Sequence, residues 1–281
     1  MDLTAINSIL HAMGYPDATD AAPFLAEEDA HPYSVWKLEM PRGSAVLKKV
    51  TPQEQSVYEA FFPECGAVPK VYAFRDGYML MEYISGSTLS RCTRETLIPV
   101  LDALIAMQDR YWQNTDLADV GYGFSKSYPN REKRLPYMED LGRFYEAYLE
   151  AFRTVPRTLC NDDMLPFNVL LSGQRAVILD WEYAGILPYP CALARFLAFG
   201  EESENTMFYM TREDQIFAVD YYYENLIRHK GISYETYLHT MKLFFFKEYS
   251  EWIYCANSSG DRSGEYYRKY SQMARALALQ L

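Results

Sequence analysis

The sequence predicts an α+β protein in which a small antiparallel sheet with one helix precedes a larger, mostly helical part. Three observations predict it. Residues 34–40 and 45–48 alternate apolar and polar side chains around the turn Pro41-Arg42-Gly43-Ser44, which is strand periodicity. From residue 93 onward the spacing becomes helical, with Leu97, Val100, Leu101, Leu104, Met107 and Tyr111 on one face. Two short apolar runs, 169–171 and 176–179, then interrupt the helices as a hairpin about the polar turn Ser172-Gly173-Gln174-Arg175. The boundary is placed near residue 84, with residues 1–84 as the sheet-bearing part and 85–281 as the helical one.

The elements follow in order. Thr51-Pro52-Gln53-Glu54 opens a helix with Pro at its first position, and Val57, Tyr58, Phe61 and Phe62 supply its apolar face. Residues 68–74 and 77–83 read as two strands around Arg75-Asp76-Gly77. Leu141, Phe144, Tyr145, Tyr148 and Phe152 mark a further helix that Pro156 closes. The last hundred residues read as helices with aromatic stripes, Phe244-Phe245-Phe246 and Tyr266-Tyr267, expected in the core.

Composition narrows the function. A chain of 281 residues that is 49% hydrophobic can bury a sizeable core. No apolar stretch approaches the length of a membrane span, and Met1-Asp2-Leu3-Thr4 lacks the basic-then-apolar pattern of a secretory signal. A net charge of −11 disfavours nucleic acid and anionic membrane surfaces, and suits cationic or neutral small molecules. Cys65, Cys92, Cys160, Cys191 and Cys255 are odd in number and form no CxxC pair, which predicts reduced thiols in a cytoplasmic protein. His11, His31, His229 and His239 are scattered, so zinc is not expected.

The hairpin carries the chemistry. It places Asn168 at its start and Asp180 just past its end, so that an amide oxygen and a carboxylate reach one edge, the hard donors that hold Mg²⁺ beside nucleotide phosphates. Asp163, five residues before Asn168, is placed to accept a proton from a substrate hydroxyl. Any one of these acids alone reads equally well as a helix cap, an Asx-turn or a strand-end residue. The three in this frame read as a phosphoryl-transfer site. Lys48, on a buried strand, is delivered as a phosphate-binding lysine is. Glu54, rather than Glu59, is expected to pair with it.

These motifs resemble the aminoglycoside phosphotransferase and choline kinase group, distant relatives of protein kinases. Its catalytic loop reads His-Gly-Asp or His-Asn-Asp, four residues, then Asn, and its metal strand ends in Asp-Phe/Trp-Glu. The chain has Asn161-Asp162-Asp163, then Asn168, and Asp180-Trp181-Glu182. The resemblance implies a protein kinase-like two-lobed fold and ATP- (or GTP-) and Mg²⁺-dependent transfer to a small-molecule hydroxyl. It also implies that Met81 backs the adenine, while the Glu82 carbonyl and the Ile84 amide bond its edge. Three departures stand out: Asn161 for His, the extra Asp162, and Ala192 where the family commonly has Asp. A loop free of Gly, residues 26–33, stands where the phosphates should be covered, and Glu27, Glu28 and Asp29 there are expected in solvent.

Seven carboxylates (Glu201, Glu202, Glu204, Glu213, Asp214, Asp220, Glu224) and one Arg lie between 201 and 224, and Glu248, Glu251 and Trp252 share a later helix face. With neighbouring aromatics, Glu202, Glu248, Glu251 and Trp252 suit a cationic alcohol. Choline or ethanolamine kinase activity is one alternative, and a silent nucleotide-binding protein another. A peptide substrate is not expected, because Glu182 replaces the Gly of Asp-Phe-Gly and only residues 183–190 remain for an activation segment.

Overall fold

The computed structural model describes residues 1–25, 32–63, 65–203 and 206–281. Helix α1 (Leu3–Ala12) is followed by strands β1 (Asp20–Leu25), β2 (Pro32–Met40) and β3 (Gly43–Lys49), helix α2 (Pro52–Phe61), and strands β4 (Val71–Arg75) and β5 (Tyr78–Glu82). The strands make one antiparallel sheet in the order β1-β2-β3-β5-β4. Side chains alternate across it. Ala45 and Leu47 of β3 and Leu80 of β5 face α1, where Ile6 and Leu10 bury against them and Trp36. Val46, Met79 and Met81 face the other way, into the main core with Val57, Tyr58 and Phe61 of α2. Two residues beyond Val46, Lys48 shares its face and so points toward α2.

Both helices begin on side-chain caps. Asp2 Oδ1 accepts the Ala5 amide at 2.8 Å, and Thr51 Oγ1 accepts the Glu54 amide at 3.2 Å with Pro52 behind it. Helix α1 and strand β1 had no counterpart in the sequence reading, which began at residue 34. Only Ile6 and Leu10 of α1 are buried, one i,i+4 pair, and β1 is mostly exposed, so neither shows a sustained period.

Past β5 the chain forms β6 (Ser87–Thr88), β7 (Arg91–Cys92), α3 (Arg94–Arg110), α4 (Phe124–Glu132), α5 (Gly142–Thr154), β8 (Arg157–Asn161), β9 (Val169–Ser172), β10 (Arg175–Ile178), β11 (Ala184–Pro188) and α6 (Pro190–Leu197). Then follow β12 (Gly200–Glu201), β13 (Phe208–Met210), α7 (Arg212–Asn225), α8 (Tyr234–Ser259) and α9 (Glu265–Ala278). The hairpin is β9–β10, with Ser172 opposite Arg175, so its turn is the two residues Gly173-Gln174 rather than four. Strand β6 adds to β9, and β8 pairs with β11. Gly86 makes the first crossing possible: a Cβ there would lie 2.5 Å from the Leu171 carbonyl oxygen.

Phe244 and Phe246 are buried as expected, but Phe245 is half-buried and Tyr266 is 38% exposed, because α9 turns that edge outward. The five thiols are unpaired, with Cys92, Cys160 and Cys191 buried. Among the described residues no helix is long and apolar enough to cross a membrane. Replacing Leu10, which is fully buried, by Ala should lower unfolding stability by about 2–5 kcal/mol in urea titration; a change near zero would show that α1 does not support the sheet.

Candidate active site

Lys48 is where the two parts of the chain meet. Its Nζ lies 2.6 Å from Glu54 Oε1 on α2 and 3.0 Å from Asp180 Oδ1, just past the β9–β10 hairpin. Burial works against the charge of this ammonium, yet the two carboxylates hold its pKa above the usual lysine value. Lys49 is exposed, and Glu59 accepts a hydrogen bond from Gln55 at 2.8 Å.

Asn161 ends β8 and ties the loop to the hairpin. Its Nδ2 donates to the Asp180 carbonyl at 2.8 Å and to the Leu179 carbonyl at 3.3 Å, while its Oδ1 accepts the Asp163 amide at 2.9 Å. Asp180 has φ +54, in the left-handed region that a non-glycine residue enters at a cost of about 1–3 kcal/mol. The Asn161 bond to its carbonyl and the Leu179 amide bond to the Asn168 carbonyl (2.7 Å) hold the backbone there.

Asn168 donates from Nδ2 to the Asp163 carbonyl at 2.9 Å, which turns its Oδ1 away from the loop. Among the described residues nothing donates to Asn168 Oδ1 or to Asp180 Oδ2. No cluster of three or more His, Cys, Asp or Glu among them is arranged to hold a metal. Two hard oxygen donors fit Mg²⁺, which takes one or two side-chain oxygens and completes its shell with phosphate and water.

Asp163 Oδ1 accepts both Arg195 Nη2 (2.8 Å) and Nε (3.2 Å), and its Oδ2 has no partner among the described residues. Burial raises its pKa; Arg195 pulls the other way, and nearby Asp180 and Asp162 add to the rise. Asp162 has a different task. Both its oxygens accept Arg131 Nη2 at 2.6 Å, and Arg131 also donates to the Tyr148 hydroxyl at 2.7 Å and stacks over Phe152. Burial opposes the Asp162 charge, but Arg131, with help from Lys247 and Arg195, keeps its pKa below the usual aspartate value.

Met81 and Ile84 are buried beside the end of β5. The Glu82 carboxylate accepts Arg175 at 2.9 and 3.1 Å and the Lys70 amide at 3.1 Å, fastening β5 to the hairpin. Glu202 is exposed and accepts the Tyr209 hydroxyl at 3.3 Å. Glu248 is only 2% exposed, with Oε2 on Arg195 at 3.0 Å and Oε1 on Lys247 at 2.9 Å. Glu251 pairs with Arg134 and lies 3.7 Å from Lys247. The chain's own cations thus occupy both of these carboxylates. Half-buried Trp252 packs on Tyr266 and Tyr270 at ring-centroid separations of 5.4 and 5.6 Å. Of the Gly-free stretch 26–33, residues 26–31 lie outside the described residues, while Pro32 and Tyr33 begin β2 and are exposed; Glu204 also lies outside them. Ala192 is fully buried.

Sequence reading missed three arginines: Arg131, Arg175 and Arg195. Arg195 carried a usable signal, since it is a lone cation inside the apolar run 191–199.

A family model described as the phosphotransferase enzyme family matches residues 27–222. The chain belongs to that family. It has the protein kinase-like two-lobed fold and is a phosphotransferase, a small-molecule kinase. It is similar in structure to the choline kinase LicA from Streptococcus pneumoniae, with 16% identity, a TM-score of 0.64 and 99% of each chain covered. It is similar also to the Plasmodium vivax ethanolamine kinase, with 11% identity, a TM-score of 0.59, and 92% of this chain and 82% of that one covered. A third is a thermostable mutant of aminoglycoside phosphotransferase APH(4)-Ia in complex with ADP and hygromycin B, with 15% identity, a TM-score of 0.57 and 98% of each chain covered. No curated protein sequence matches the chain.

Replacing Asp162 by Asn leaves Arg131 buried without its counter-charge and should cost about 3–5 kcal/mol at neutral pH. Because the folded-state pKa of Asp162 is depressed, its contribution is present above the unfolded value, about 3.9, and is lost as pH falls through the folded one. The stability gap between wild type and Asp162→Asn should therefore narrow below about pH 4. Urea titration across pH checks this; a gap that stays constant into acid would refute it.

Proposed function

We propose that this kinase transfers the γ-phosphate of ATP, with GTP as the alternative donor, to a hydroxyl of a cationic small molecule. One observation carries the reading: Lys48 Nζ lies within hydrogen-bonding distance of both Glu54 and Asp180, residues 126 positions apart, while Leu179, next to Asp180, donates to the Asn168 carbonyl and Asn168 donates to that of Asp163. Residues 1–84 would form the nucleotide-binding lobe, with Met81 behind the adenine and the Glu82 carbonyl and Ile84 amide on its edge. Residues 85–281 would carry the catalytic loop and the acceptor site.

Asn168 Oδ1 and Asp180 would hold Mg²⁺, which when bound neutralises charge on the phosphates. Lys48 binds phosphate oxygens while Glu54 keeps its ammonium aimed at them. Asp163 orients the acceptor hydroxyl through Oδ2 and takes its proton as the new P–O bond forms. The transition state of such a transfer is loose, so positioning and charge neutralisation supply most of the acceleration.

Exposed Glu202 and the Trp252–Tyr266 face support a cationic acceptor, since carboxylate and aromatic surfaces both attract an ammonium. Glu248 and Glu251 are better suited to supporting the site than to meeting the substrate, because each is already paired. An amino alcohol of the choline or ethanolamine type is a second reading. It rests on Asp180-Trp181-Glu182-Tyr183 and on the likeness to choline and ethanolamine kinases. The bonds made by Asn161 count against a silent protein, since that side chain engages both the loop and Asp180. Five thiols without a disulfide suit the cytoplasm.

ATP consumption against a panel of amino alcohols and aminoglycosides tests the reading. Asp163→Asn and Asp180→Asn should each reduce kcat by about 10²–10⁴-fold with the thermal midpoint retained. Near-normal turnover in either variant would remove its assigned role.

A further inference from the structure

The strongest arrangement outside the expected motif is the one around Arg195. Helix α6 is buried along almost its whole length, and Arg195 is its one charged residue. Two of its donors, Nη2 at 2.8 Å and Nε at 3.2 Å, converge on a single oxygen, Asp163 Oδ1. Its third engaged donor, Nη1, reaches Glu248 Oε2 at 3.0 Å, and the other Glu248 oxygen is held by Lys247 at 2.9 Å. A carboxylate gripped through one oxygen can rotate little, and the oxygen left without a partner is the one that can meet a substrate hydroxyl.

We propose that Arg195 is a positioning residue for the phosphoryl transfer. It fixes Asp163 by Oδ1 so that Oδ2 alone faces the acceptor, and Glu248, set by Lys247, fixes Arg195 in turn. The inference rests on the phosphotransfer reading above and adds to it the α6–α8 relay that holds the base. A guanidinium suits this position because its rigid planar fork sets two donors on Asp163 Oδ1 and a third on Glu248; a lysine ammonium keeps the charge but, as a single point on a flexible stem, does not reproduce that paired grip. The charges along the relay alternate, Asp163, Arg195, Glu248, Lys247, so no buried charge is left uncompensated.

The test measures phosphoryl transfer from ATP, to the best acceptor found or to water, in wild type, Arg195→Ala, Arg195→Lys and Arg195→Ala/Glu248→Gln. The double variant lowers the carboxylate charge that loss of Arg195 leaves, and the thermal midpoint of every variant is measured alongside, so a folding defect does not decide the result. Arg195→Ala and the double variant should lose about 10–100-fold in kcat while KM for ATP stays within about twofold. Arg195→Lys should recover part of the loss, and added guanidinium should partly restore the two alanine variants. Retention of kcat in the double variant, or a loss that neither lysine nor guanidinium relieves, overturns the proposal. If wild type transfers phosphate and Asp163→Asn abolishes it while Arg195 proves dispensable, only this inference fails. If wild type transfers to neither acceptor nor water, the phosphotransfer reading fails and takes this one with it.

Discussion

One ammonium holds the site together. Lys48 Nζ reaches a carboxylate on α2 and another beyond the β9–β10 hairpin, and without it two acids would face each other across a partly buried cleft. Coulomb attraction at such distances in a medium of reduced dielectric offsets the cost of taking the charges out of water only when each has its partner. The rest of the architecture serves that meeting. Alternation along β3 puts Lys48 on the α2 side, the Thr51 cap starts α2 where Glu54 can reach it, and Asn161 holds Asp180 in its left-handed backbone conformation.

Behind this contact the charges are matched. Asp163 with Arg195, Asp162 with Arg131, Glu248 with Lys247 and Glu251 with Arg134 each join an acid to a base. Most of the excess of eleven negative charges therefore lies outside these pairs. It lies on outward surfaces such as that of Glu202, where it can attract a cation without destabilising the loop.

Much of this was legible in the sequence because it depends on local order. The hairpin with Asn168 at its start and Asp180 beyond its end, the Pro52 helix start, and the alternation that buries Lys48 are patterns over fewer than twenty residues each. Glu54 rather than Glu59 followed from where α2 begins. What stayed hidden was long-range. Whether Glu248 would meet solvent or Arg195 depends on how α8 packs against α6, and no period in either helix encodes that. The expectation that Glu248 and Glu251 of α8 meet a cationic substrate did not foresee the lysine and arginines that already pair with them. Asp162, which looked like a departure from the family pattern, makes sense only once Arg131 arrives from α4, thirty-one residues earlier. Helix α1 escaped because its buried stripe is one turn long.

The central claim is that Lys48 and Asp180 act as one unit in holding a metal–nucleotide complex. Calorimetric titration of Mg²⁺ and a non-hydrolysable ATP analogue into wild type, Lys48→Met, Asp180→Asn and the double variant tests it most directly. The two losses of binding free energy should be non-additive, with a coupling of about 1 kcal/mol or more, and binding should weaken when Mg²⁺ is withheld. Losses that add to within about 0.5 kcal/mol, or binding indifferent to both side chains, would contradict it.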